Sequence, residues 1–380
     1  MRARLVPVLL VLLLAPAARA TRTVTVAELE QILAADSGHP DRHVAADLSD
    51  LVLTERVSYA RLARWKSDFP GEHTQAALLL LADESAFLSL PLSDISSAPP
   101  PPLAAQGKMF DRVIDYVNRT MHELPNFIAT RTTLHFEDAK RKAARSGSVE
   151  SGSSIASTDT PGLPIESLTY LPLRLTGKST TAVTYRGGEE VQSVSSDRKS
   201  YLGLTTRGEF GPILGVVLSD AIHSRIAWGY WQQTAAGDVA VFRYTVPADK
   251  SHYLVGFHTS LEPVQSYPAY HGEIAIDPAT GSILRISIIS EIAPPSQMVG
   301  TGILVEYGPV VIGDRTAICP LRSVALSKMP LLPDLVRPLT AGTVLQNRLN
   351  DVAFTNYHLF HADVRILSAE EAKRLGVSPH

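Results

Sequence analysis

Residues 271–289 read HGEIAIDPATGSILRISII, from His271 to Ile289, and this stretch decides the fold. Ile274 and Ile276 alternate with Glu273, Ala275 and Asp277. Leu284, Ile286 and Ile288 alternate with Arg285, Ser287 and Ile289. A period of two gives a strand one apolar and one wetter face. Asp277-Pro278-Ala279-Thr280-Gly281 lies between the two runs: Pro278 presets φ, and Gly281 can enter the left-handed region that closes a tight turn. Two strands joined by so short a connection are antiparallel neighbours.

The same grammar extends in both directions. Arg186-Gly187-Gly188-Glu189 joins Ala182-Val183-Thr184-Tyr185 to Val191-Gln192-Ser193-Val194, a hairpin with glycines at the positive-φ sites. Ala240, Phe242, Tyr244 and Val246 alternate with Val239, Val241, Arg243 and Thr245. Residues 127–136, 303–307, 315–326, 344–355 and 357–367 read as further strands, with Gly308 and Gly313 at turns. One helix interrupts, 211–223, carrying Ile213, Leu214, Val217, Leu218 and Ile222. Another precedes the strands at 104–124, where Met109, Val113, Tyr116, Val117 and Met121 recur at helical spacing. A sheet apolar on one face must bury that face, and these two helices are the covers. The expected architecture is α+β: a small helical module, then a large curled antiparallel sheet, half-barrel-like, packed on one or two helices.

The helical module is read at 21–95. Thr25-Val26-Ala27-Glu28 is a capping box ahead of Val26, Leu29, Ile32 and Leu33 on one stripe. A second segment carries Val44, Leu48 and Leu51, a third Val57, Leu62 and Trp65, and a fourth, 74–88, carries Ala76, Leu79, Leu80 and Phe87. Residues 96–103 include Pro99 to Pro102 and read as an extended proline-rich linker. The sheet domain runs over 104–367, with a polar loop at 139–165 and a carboxyl-terminal tail at 368–380.

Residues 1–20 read as an export signal: Arg2 and Arg4, the apolar run 5–15, then Ala18-Arg19-Ala20 for cleavage. The expected location is periplasmic or extracellular, with no transmembrane segment after cleavage. The 380 residues carry 45% apolar and 19% charged side chains and a formal charge of -3. Removing Arg2, Arg4 and Arg19 takes the charge from -3 to -6, which disfavours nucleic acid as a partner. Cys319 is the single cysteine, so no internal disulfide forms, and it reads as a buried apolar-like thiol. A sizeable core without disulfides fits a bacterial exported protein.

No zinc-protease, nucleophile-elbow, phosphate-loop, dinucleotide or calcium-loop motif occurs in the chain. His358, His361 and Asp363 do not share one strand face, so no metal site or cofactor is expected. The aromatic cluster is the more informative feature. Trp228 and Tyr230 are expected on one strand face, with Trp231 on the other, beside Phe242 and Tyr244. Trp228, Tyr230, Phe242 and Tyr244 are the candidate lining of an apolar pocket; the same rings could fill a dry core.

The unit 271–285 and the later Val305-Glu306-Tyr307-Gly308-Pro309-Val310-Val311-Ile312-Gly313 resemble the meander hairpins of half-barrel periplasmic lipoprotein-sorting carriers. The whole chain also resembles exported proteins of acidobacterial type. The carrier resemblance, over 127–367, implies an incomplete antiparallel barrel holding acyl chains against helices; it transfers no site residue. The helical module and the proline spacer depart from that pattern. The expected function is therefore an exported, non-enzymatic binding protein for a lipid or other apolar ligand in the concave sheet. The alternatives are an envelope interaction or scaffold protein, and a hydrolase with a dispersed site. The expected partner is an apolar ligand or an envelope protein.

Overall fold

The computed structural model describes residues 22–138, 173–192, 209–210, 212–234, 237–258, 263–292, 300–330 and 345–360. The segments read as an export signal, a polar loop and a tail lie outside the described residues, as do His361 and Asp363.

The amino-terminal module packs α1 (Val26–Ala35), α2 (Asp41–Leu48), α3 (Tyr59–Asp68) and α4 (Glu72–Glu84) around Leu29, Leu33, Val44, Leu48, Leu62, Trp65 and Leu78. The capping box forms as the sequence demands. Thr25 Oγ1 accepts from the Glu28 amide (3.2 Å), and the Thr25 amide donates to Glu28 Oε2 (2.7 Å). One expectation fails locally. Leu51 does not continue a helix but lies in β2 (Leu51–Leu53), paired in parallel with β1 (Arg22–Val24). Leu51 and Leu53 are buried on either side of a half-buried Val52, the alternation of a short strand, and the helical spacing from Leu48 is coincidental.

The second part is a ten-stranded, unclosed and curled antiparallel sheet. Its strands are β3 (Phe127–Asp138), β4 (Leu173–Arg186), β5 (Glu189–Gln192), β6 (Arg225–Thr234), β7 (Gly237–Val246), β10 (Tyr270–Ile276), β11 (Ile283–Glu291), β12 (Gly300–Ile312), β13 (Arg315–Pro330) and β14 (Leu345–Leu359). Their order is β5-β4-β3-β14-β13-β12-β11-β10-β7-β6. A separate short ribbon pairs β8 (Val255–His258) with β9 (Pro263–Ser266).

Helices cover both faces. On the inner face lie α5 (Leu103–Glu123) and α6 (Pro212–Ile222). Val113 and Val117 of α5 and Ile213, Leu214, Val217, Leu218 and Ala221 of α6 share one core with Phe242, Ile274, Ile276, Ile286, Ile288 and Val305. Each Val, Leu or Ile among them, fully buried, contributes about 1.5–3 kcal/mol over its exposed state. On the outer face the module is seated: Leu80, Ala86 and Phe87 pack on Leu304, Val324, Leu326 and Leu349. The sheet is thus a central layer and not a bare trough.

The proline run stays extended and lies along the β6 edge. Ile95 bridges Gln232, the Ser96 amide donates to the Trp231 carbonyl (2.9 Å), and Trp231 Nε1 donates to the Pro99 carbonyl (3.2 Å). Prolines there cover an edge strand without offering donors to another chain. The β10–β11 turn meets α5 closely. Gly281 has φ 77°, and a Cβ on it would stand 2.4 Å from the Arg112 carbonyl oxygen. Only glycine satisfies both demands.

Candidate functional site

Trp228, Tyr230, Phe242 and Tyr244 do not form one lining. The β6–β7 register runs Trp228↔Phe242 and then Tyr230↔Val241, which leaves Gly229 as the extra residue of a bulge. The bulge inverts the expected alternation. Trp228 and Trp231 share the inner face with ring centroids 4.8 Å apart, and Tyr230 goes to the outer face with Val239, Val241 and Ala275. The expectation that Trp228 and Tyr230 share a face is corrected on this ground. Phe242 and Tyr244 are 4% and 2% exposed. Phe110 of α5 packs edge-on against Phe242 at 5.8 Å, Trp228 does so at 5.4 Å, and the Tyr244 hydroxyl donates to the Ser287 carbonyl at 2.6 Å. These rings are packed core between β7 and α5.

Tyr230 belongs instead to a charge ladder across the outer face. Arg243, Glu273, Arg285, Glu306, Arg322 and Asp351 come one each from β7, β10, β11, β12, β13 and β14, with alternating sign. Arg243 Nε lies 3.4 Å from Glu273, Arg285 Nη2 3.3 Å from Glu273, Arg322 Nη1 3.9 Å from Glu306, and Arg322 Nε 2.7 Å from Asp351. The module closes over the ladder with two residues of its own. Arg56 reaches Glu273 at 3.7 Å and donates to the Tyr230 hydroxyl at 3.5 Å; Asp83 of α4 pairs with Arg322. Burial pushes the Glu306 carboxyl up to about 7, against the pull of Arg285 and Arg56. At Glu273 burial pushes upward too, but Arg285 and Arg56 outweigh it and hold that carboxyl below its ordinary value. The ladder's work is to seat the module.

Among the described residues, an open volume lies elsewhere on the inner side. A cleft of about 900 Å³ opens where the last turns of α5 pass the β10–β11 turn and the start of β13. Tyr116, Leu124, Pro125, Ala317 and Ile318 supply apolar wall. Thr120, Thr280, Ser282 and Thr316 supply hydroxyls, and Arg119 and Arg315 supply two exposed cations. The volume sits in the upper range of small-molecule sites, roughly 300–1,000 Å³. Burial pushes the Tyr116 hydroxyl above its ordinary range, so it stays a neutral donor. The cleft is held open by its surroundings. Pro125 ends α5, the Arg112 guanidinium donates to the Pro278 carbonyl (2.9 Å), and Asp277 ties its turn through the Ala279 amide (2.8 Å) and the Thr280 hydroxyl (2.8 Å).

Sequence reading missed this cleft. Tyr116 was legible on the apolar stripe of the 104–124 helix, but nothing in the spacing links Arg119 to Arg315. Cys319, next to Ile318, is 1% exposed and burial pushes its thiol up to about 12, so it is chemically quiet. Among the described residues no cluster of three His, Cys, Asp or Glu is placed to hold a metal ion, and no helix is long and apolar enough to cross a membrane. No family model, curated protein or solved structure matches the chain.

Proposed function

We propose that this chain is an exported binding protein for an amphiphile that carries an apolar body and an anionic head, held in the cleft beside the end of α5. The observation that carries the reading is the pairing of two exposed arginines with an apolar wall in one cleft. Arg119 and Arg315 suit a carboxylate or phosphate head, and Tyr116, Leu124 and Ile318 suit an alkyl chain. Each methylene buried contributes about 0.8 kcal/mol before association costs. A head-group charge paired with one of these exposed guanidinium groups gains about 0.2–1 kcal/mol. Support for export comes from the amino-terminal pattern of basic start, apolar run and small-residue site.

The test is displacement of an environment-sensitive apolar dye by long-chain carboxylates, with the full chain and with Arg119→Ala plus Arg315→Ala. Micromolar displacement that weakens at least tenfold in the double variant supports the reading. A fatty alcohol of equal length should bind more weakly than the acid to the parent chain, and equally to the double variant. No displacement by either, or equal affinity in parent and variant, rejects it.

A further inference from the structure

A polar constellation on β14, β3 and β4 lies outside the cleft. His135 on β3 opposes Asn350 on β14, and Ser179 lies on β4 opposite Thr133, the residue two before His135 on the same strand. Positions 44 and 215 residues from His135 are thereby brought to its two ring nitrogens. Nδ1 lies 2.7 Å from Asn350 Oδ1, and Nε2 lies 3.2 Å from Ser179 Oγ.

The Asn350 amide oxygen favours one tautomer of the ring. An amide oxygen only accepts, so Nδ1 carries the hydrogen and donates to Asn350. Nε2 is then the bare nitrogen, and the Ser179 hydroxyl donates to it. Nucleophile hydrogen-bonded to base, and base hydrogen-bonded to an orienting group, is the relation that activates a serine. Ser179 is only half-buried.

We propose that Ser179 is an acyl-transfer nucleophile, with His135 as its base and Asn350 as the residue that positions His135, acting on carboxylic esters. Ser179 Oγ bonds to the ester carbonyl carbon while its proton passes to His135 Nε2. The C–O bond to the leaving alcohol breaks, and that oxygen takes the proton from Nε2. Water then attacks the acyl carbon, gives its proton to Nε2, and releases the acid; the proton returns to Ser179 Oγ. Asn350 is neutral and orients the ring without stabilising the imidazolium as a carboxylate would. This suits an alkoxide leaving group better than an amide nitrogen. Burial lowers the His135 pKa and Arg131 on the same strand pushes the same way, against the Asn350 hydrogen bond and Glu137. The ring is thus a free base at neutral pH, able to take a proton. This activity goes beyond the binding reading and is independent of it, since neither Arg119 nor Arg315 takes part.

The experiment is labelling of the full chain with a fluorophosphonate, with the modified peptide located by mass spectrometry, alongside hydrolysis of a short-chain p-nitrophenyl ester. The expected result is one label, on Ser179. It should be absent in Ser179→Ala and at least 100-fold slower in His135→Gln, with circular dichroism unchanged. The labelling rate of the parent chain should rise with pH and reach half its plateau below 6.5, which a merely structural hydrogen bond would not produce. That profile decides the matter if His135→Gln does not fold. A label on another residue, no label, or a pH-independent rate overturns the proposal. Retention of labelling in the Arg119 and Arg315 double variant separates the two readings.

Discussion

Replacing Arg322 by alanine tests the seating of the helical module on the sheet. Arg322 is the only ladder cation in contact with three carboxylates of different elements: Asp83 of α4, Asp351 of β14 and Glu306 of β12. The Asp83 side chain is 0% exposed and that of Asp351 is 5% exposed, so water cannot replace the guanidinium without opening the interface. Breaking one buried pair costs about 3–5 kcal/mol, because the partner charge is left uncompensated. The variant has one escape: protonating a carboxylate. For an ordinary aspartate, pKa about 3.9, this costs about 4 kcal/mol at pH 7 and about 1.5 kcal/mol at pH 5, at 1.36 kcal/mol per unit. Arg322→Ala should therefore lose about 4 kcal/mol or more at pH 7 and clearly less at pH 5. Urea unfolding of parent and variant at both pH values measures this. A loss under about 1 kcal/mol at pH 7, or an equal loss at both, would refute the idea that the ladder holds the module down.

Glu306 gives the opposite pH dependence. Its carboxyl is raised from an ordinary 4.5 to about 7, so the folded state holds the proton more tightly. Stability from this group is fully present below about 4.5 and lost as pH rises through about 7. Glu306→Gln should gain about 1–3 kcal/mol at pH 8 and under about 1 kcal/mol at pH 5; thermal melts of both chains that keep a constant difference across pH would count against it. Trp228→Ala should destabilise the chain by about 2–4 kcal/mol, because Trp228 packs on Trp231 and Phe242. Amphiphile affinity of the folded variant should stay within twofold of the parent; a variant that folds normally but loses the ligand would return the aromatic rings to a pocket.

Much of the fold was legible because strand and helix periods are local. The 271–289 unit, the Gly187-Gly188 hairpin, the capping box at Thr25 and the two helices covering the inner face all follow from patterns within about twenty residues. The candidate site was less legible, for physical reasons that particular residues display. Gly229 adds one residue to β6, and a single bulge moves Tyr230 across the sheet, where period-two reading had kept it beside Trp228. The ladder from Arg243 to Asp351 uses one residue per strand, so only the register creates it. The cleft depends on where Arg315 on β13 meets the end of α5, and the His135 constellation on how β4, β3 and β14 align. Such sites exist only after the strands are paired.

The most direct measurement is photo-crosslinking of the full chain with a long-chain fatty acid bearing a diazirine near the methyl end, followed by peptide mapping. Insertion into the segments 116–125 and 315–318, suppressed by excess unlabelled acid, is the predicted result. Insertion at Trp228, Phe242 or Tyr244, or labelling scattered over the surface and indifferent to competitor, would contradict it.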